Sequence, residues 1–173
     1  KKKEFNQAEN MLNEAFSHEK WRKKYGYLIK LGFAIVNFNK GELTKSAQFI
    51  KDITELHKTD LTKDSLAAKK SASLDIQIEI ISNKQTSNTD LQTLVDAVKS
   101  NPKDLESRFL LSGKFFLLGS YEASIEELLQ ILKIDKNYGE KKAYNQLLKV
   151  FSALGGDNKL VVEGRKKLAK LIF

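Results

Sequence analysis

The 173-residue sequence contains no cysteine, one proline and two histidines. The absence of cysteine excludes disulfides, thiolate nucleophiles, CxxC redox chemistry and zinc sites built on thiolates. A reducing compartment suits such a chain, and we expect a cytoplasmic protein. No apolar run approaches the roughly 20 residues that a membrane-spanning helix requires, so we also expect a soluble protein with no membrane partner.

Residues suited to catalysis or metal binding are scarce and scattered. His18 and His57 lie in separate segments, and neither has a second ligand at metal-binding spacing. The carboxylates Glu126, Glu127 and Asp135 occupy polar helix positions, which is typical of a solvated face. The sequence therefore predicts a protein that is not an enzyme, with no catalytic residue, no metal site and no cofactor.

The formal net charge of +8 comes almost entirely from lysine, because only three of the 30 basic residues are arginine. Arginine favours bidentate phosphate recognition, whereas lysine mixed with glutamate and aspartate is typical of solvated helix faces. We therefore do not expect nucleic acid as a partner. An alternative stays open at the densest basic cluster, residues 20–25, which could bind nucleic acid or another anionic surface. This cluster comprises Lys20, Arg22, Lys23 and Lys24 with Trp21 and Tyr25.

Apolar residues recur at spacings of three and four, and strong helix formers dominate the chain. Short breaks separate these segments, which predicts about nine helices, mostly antiparallel neighbours. One stretch, LDIQIEI at 74–80, alternates apolar and polar residues as a strand does. Because no second strand candidate exists to pair with it, we predict that it is helical.

Two segments repeat each other when their glycines are aligned. NKGELTKSAQFIKDI and LLGSYEASIEELLQI superpose Gly41 on Gly119 and Ser46 on Ser124. The pattern resembles the tetratricopeptide repeat (TPR), although Lys30 and Arg108 stand where the first signature tryptophan is usual. We predict that residues 27–56 and 105–134 form equivalent helix pairs. Their close crossings are expected at Ala34 and Ser112.

The second half carries a further resemblance. Residues 101–138, then KKAYNQLLKVFSALGGDN and VVEGRKKLAKLIF, resemble the C-terminal helical region of YbbN/CnoX-type thioredoxin-like proteins. The resemblance is dense over residues 91–173, and no segment of these 173 residues resembles the thioredoxin domain of that family. It implies a holdase-type chaperone that binds unfolded client proteins and a GroEL-type chaperonin, with a role in the stress response.

These observations predict an all-α, TPR-like antiparallel array, or α-solenoid. We expect TPR-like helices over residues 1–83 to continue into those over residues 84–173, which end in a capping helix. If the alignment holds, an apolar groove could bind unfolded clients; alternatively, its side chains pack against the neighbouring helix. The groove positions are Leu28, Leu31, Ile35, Phe38, Phe109 and Phe116.

The terminal helix, about residues 158–172, has an apolar arc of roughly 200°, wider than the roughly 100° that packing on one surface needs. We expect Val161, Leu168 and Leu171 to dock it on the array. The remaining side would then be available to a partner, for which the resemblance implies the chaperonin. Alternatively, the helix lies deep between two others, or the module is a structural spacer that dimerises a longer protein. The partner-facing residues would be Arg165, Ala169, Ile172 and Phe173.

Overall fold

The computed structural model describes residues 2–56 and 66–172, and in these ranges it contains ten α-helices and no strand. The prediction of an all-α chain is confirmed. The structure thus has one helix more than the roughly nine predicted. The additional helix is the five-residue Lys84–Asn88, which lies in a stretch predicted to be a break between helices. The helices are α1 (Lys2–Ser17), α2 (Glu19–Asn39), α3 (Leu43–Leu56), α4 (Leu66–Ser82), α5 (Lys84–Asn88), α6 (Leu91–Ser100), α7 (Leu105–Leu117), α8 (Tyr121–Ile134), α9 (Tyr138–Leu154) and α10 (Lys159–Ile172).

The helices form two compact units, Lys1–Ile78 and Glu79–Phe173. In the first unit, α2 packs against both α1 and α3. In the second unit, α7 packs against α6 and α8, and α8 also contacts α9 and α10. Continuity of the array across residues 83 and 84 stays a prediction.

The helical prediction for LDIQIEI is confirmed, since α4 covers the whole segment. Leu74 and Ile78 lie four residues apart on one side of α4 and join the core of the first unit. Ile76 and Ile80 are also buried, and Ile80 approaches Gly113 on α7 in the second unit. The alternation therefore arises from a helix that is buried on more than one side.

The two predicted repeats end their first helices with the same turn. Gly41 and Gly119 have φ angles of +81° and +75°, a conformation that glycine adopts without a steric penalty. The Gly41 amide donates to Phe38 O at 3.0 Å and the next amide donates to Asn37 O at 2.9 Å. The second turn has the same two bonds at the same distances, from Gly119 and from the residue after it. Both turns are Schellman motifs, so the same type of turn follows the first helix in each pair.

Small residues lie fully buried where the paired helices meet. Ala34 on α2 and Ser46 on α3 are both inaccessible, and Ser46 Oγ donates to Ala34 O at 2.7 Å. Ser112 on α7 and Ser124 on α8 are likewise inaccessible, and Ser112 Oγ donates to Phe109 O at 2.7 Å. Both predicted crossing residues are therefore fully buried, and in the first pair the hydrogen bond between Ser46 and Ala34 joins the two helices directly.

Candidate protein-binding surfaces

An exposed aliphatic stripe runs along α2. Beyond a kink at Tyr25, where φ is −124° and ψ is 15°, the helix is regular to Asn39. Leu28 and Ile35 lie seven residues apart, so they project within about 20° of each other and about 10 Å apart along the axis. Their exposed fractions are 42% and 37%. We call these two residues the α2 stripe.

The neighbours of the α2 stripe on the same helix explain why it stays open. Gly32 faces α1, where an added Cβ would lie 2.7 Å from Leu12 Cδ2. Leu31 is 6% exposed and belongs to the core with residues of α3 and α4. The two packed surfaces of α2 therefore flank the stripe without covering it.

The other predicted groove residues are not accessible to the same extent. Leu31, Phe109 and Phe116 are buried, and Phe38 is half-buried against the core of the first unit. The Phe109 ring lies 6.1 Å from that of Tyr138, and the Phe116 ring lies 5.3 Å from that of Tyr121. These side chains therefore pack against neighbouring helices, which was the alternative to an open groove for clients. The accessible part of the predicted groove is the α2 stripe.

A basic and aromatic segment leads into the stripe, and we call residues 18–25 the basic segment. Trp21 is 50% exposed and Tyr25 42% exposed. His18 stacks on Trp21 at 5.2 Å between ring centroids, and Lys24 Nζ lies 5.2 Å from the Tyr25 centroid. The sequence analysis found this cluster but did not connect it with the groove. The connection could have been found from the spacing of Trp21, Tyr25 and Leu28 at four and then three residues.

On α10, one side is buried and the side adjoining it is open. Val161, Gly164 and Leu168 are buried. A Cβ added at Gly164 would lie 2.8 Å from Phe151 Cε1, so the helix backbone lies directly against that ring. Glycine is thus what allows the backbone of α10 to lie against the Phe151 ring.

An ion pair also fastens α10 to α8. Lys167 Nζ donates to Glu126 Oε2 at 2.8 Å. This hydrogen bond is the main reason why the pKa of Glu126 is lowered and that of Lys167 raised. Both side chains are well exposed, so the pair adds little to stability.

The open side of α10 contains three of the four predicted partner residues. Arg165 and Ala169 are exposed, and Ile172 is 43% exposed. Val162, which the prediction did not include, is 41% exposed. The fourth predicted residue, Phe173, lies outside the described residues, as does His57.

The second unit also contains an open cleft of about 560 Å³ that the sequence did not predict. Its wall includes Glu79, Lys142 and Lys149, and Lys149 Nζ pairs with Glu79 Oε2 at 2.6 Å. At its rim, residues 139–141 have φ angles of 54°, 56° and 70°, a left-handed turn. Nearby, burial and a hydrogen bond to Glu106 raise the pKa of Tyr138. Paired charges of both signs line this cleft, so it does not favour one class of ligand.

Neither a metal centre nor a membrane span is found in the described ranges. No group of three or more histidine, aspartate or glutamate side chains there could hold a metal ion. No helix among those described combines the length and apolarity needed to cross a bilayer.

Comparison with known proteins identifies the repeat. Residues 84–173, just over half of the chain, match the family model described as tetratricopeptide repeat. A search of the curated proteins finds no match to the chain. Tetratricopeptide repeats generally mediate interactions between proteins. The α7–α8 pair, with its glycine turn and small crossing residues, lies within the matched range, and the chain belongs to the tetratricopeptide repeat family.

Proposed function

We propose that this chain is a protein-binding module that holds unfolded or extended polypeptide on the α2 stripe. The observation that carries the proposal is the exposure of Leu28 and Ile35 on a helix whose other faces are packed. Exposed aliphatic surface is the feature that a segment lacking its own core can cover. The proposal is one of binding, without catalysis or a cofactor.

The size of the stripe suits weak and reversible contacts. Full burial of a leucine or isoleucine side chain is worth about 1.5–3 kcal/mol, so covering the exposed fraction of each contributes about 1 kcal/mol. Two such contacts discriminate little between sequences. A module that binds many clients briefly needs this low selectivity.

We further propose that the binding serves a chaperone function in the cytoplasm, with the outer face of α10 as the docking site for a GroEL-type chaperonin. Support for this role is the resemblance of residues 91–173 to YbbN/CnoX-type proteins. Additional support is the exposure of Arg165, Ala169 and Ile172 beside a firmly seated face. Ala169 and Ile172 lie among the lysines of α10 (Lys166, Lys167 and Lys170), so this surface combines apolar contact with positive charge that would complement an acidic partner surface.

A test of client holding compares two matched variants in an aggregation assay. Leu28→Ser with Ile35→Ser removes the α2 stripe. Ile134→Ser on α8 removes a side chain that is 45% exposed in the other unit. We expect the unmodified chain and the Ile134 variant to suppress aggregation of a denatured client equally, and the stripe variant to lose most of this activity. Equal suppression by all three, with helicity unchanged by circular dichroism, would contradict the assignment.

A separate test concerns the chaperonin. Removal of Ile172 and Phe173 should leave the fold intact, because the last turn of a terminal helix frays easily. We expect the truncation to weaken chaperonin binding by roughly 2 kcal/mol or more, the size of an interface hot spot. Isothermal titration with the chaperonin measures the loss. Unchanged affinity would contradict docking through this end, and a large fall in melting temperature would mean that the tail belongs to the core.

A further inference from the structure

We infer that the basic segment extends the site on α2 and selects extended polypeptides that have carboxylates beside their apolar residues. This inference rests on the proposed function, since it names the class of client that the α2 stripe prefers. The inference adds selection by charge, because the two aliphatic side chains of the α2 stripe do not distinguish clients by their charge.

The basic segment and the α2 stripe adjoin each other along α2, before and after the kink at Tyr25. Trp21, Tyr25, Leu28 and Ile35 are all exposed. Positions 21 and 35 lie at most about 21 Å apart along the helix, the rise of fourteen residues without a kink. An extended polypeptide covers that length with about six residues. One short client segment can therefore contact the aliphatic and the aromatic ends together.

Within the described residues, one of the four cations of the basic segment is paired with a carboxylate and three are not. Its one carboxylate, Glu19, pairs with Lys23 at 2.6 Å. Arg22 and Lys24 lie over the rings of Phe16 and Tyr25, contacts that leave the cationic charge in place. Lys20 is exposed, and in the described part of the chain it forms no ion pair. A client carboxylate placed at this end would therefore meet uncompensated positive charge.

The geometry favours peptide carboxylates over nucleic acid. Proteins that bind single-stranded nucleic acid stack successive bases on open aromatic faces. Here His18 stacks on Trp21, and Lys24 lies over Tyr25, so each ring has one face covered. Three of the four cations are lysines, which bind carboxylates as point charges and lack the bidentate fork that suits phosphate. A peptide carboxylate can bind to a single positive charge and does not need a bidentate donor.

Trp21 provides a direct experimental signal, because it is the only tryptophan in the chain and lies within the proposed site. Three peptides would be titrated against its fluorescence. They share one aliphatic core and differ in their flanking residues, which are aspartate and glutamate, asparagine and glutamine, or lysine. We expect the acidic peptide to bind roughly three- to tenfold more tightly than the amide peptide, as two exposed ion pairs allow. The preference should shrink as salt is raised toward about 0.5 M.

Two double variants locate the effect. Lys20→Gln with Lys24→Gln should bring the ratio of acidic to amide affinity down to about one. Lys99→Gln with Lys103→Gln, which removes two exposed lysines of the second unit, should keep the full preference. Equal affinity of the acidic and amide peptides for the unmodified chain would overturn the inference and leave the proposed function standing. Failure of all three peptides to bind would overturn both, and tighter binding of an oligothymidylate than of the acidic peptide would also overturn the inference.

Discussion

Replacement of Gly164 by alanine tests how α10 is seated. The added methyl group would lie 2.8 Å from Phe151 Cε1 and 2.9 Å from Cζ, closer than carbon atoms pack. The Phe151 ring is 1% exposed, so it cannot turn into solvent. Overpacking of this kind costs about 1–3 kcal/mol. Alanine recovers up to about 1 kcal/mol of helix propensity, so we expect a net loss of about 1 kcal/mol.

Gly113→Ala is the matched control, because it makes the same substitution within another helix of the same unit. There the new methyl would lie 3.3 Å from Ile80 Cγ2 and 3.4 Å from Thr86 Cγ2, so those side chains need to shift by only a few tenths of an ångström. We expect this variant to be more stable than Gly164→Ala by about 1 kcal/mol. Urea denaturation followed by circular dichroism measures both. If Gly164→Ala is as stable as Gly113→Ala, α10 does not rest on Phe151, and the assignment of Gly164 to the buried side of α10 is wrong.

Two further predictions concern the second unit. Ser112→Leu should overpack the α7–α8 crossing, where the serine is inaccessible, and cost about 1–3 kcal/mol in thermal or urea unfolding; a neutral effect would mean that this crossing is not close. Asp104 caps α7 by accepting from Ser107 N at 3.1 Å and from Ser107 Oγ at 2.7 Å, so Asp104→Ala should cost about 1 kcal/mol at pH 7. The hydrogen bond from the serine hydroxyl is the main reason why the pKa of Asp104 is lowered in the folded chain. Its contribution is therefore present above the ordinary carboxylate pKa of about 4 and disappears as the pH falls through the lowered value. Urea midpoints of the two proteins should converge as the pH falls below the lowered pKa of Asp104, and a constant difference would contradict the capping role.

The helical architecture could be predicted from the sequence because its local signals agree. Gly41 and Gly119 mark turns that only a residue tolerant of positive φ adopts cheaply, and they lie at matching places in two periodic segments. For LDIQIEI the local period favoured a strand, yet the lack of a pairing partner decided correctly for a helix. The reason for its alternation, a helix buried on more than one side, depends on tertiary neighbours that sequence spacing does not reveal.

The accessible residues of the groove were harder to predict than the fold. Leu28 and Leu31 have the same side chain and lie about one turn apart, but only Leu31 reaches the core of the first unit. The rings of Phe109 and Phe116 pack against those of Tyr138 and Tyr121, which come from other helices. Whether a groove position is open thus depends on which side chain of a neighbouring helix covers it. That information is three-dimensional.

Client binding at the α2 stripe is tested most directly by site-specific photocrosslinking. A benzoylphenylalanine would be introduced in place of Ile35, and in a control protein in place of Ile134, which is similarly exposed on α8. We predict strong crosslinks from position 35 to a denatured client, few to the same client in its native fold, and few from position 134 to either. Equal crosslinking from the two positions, or none from position 35, would contradict the assignment of the stripe as the binding site.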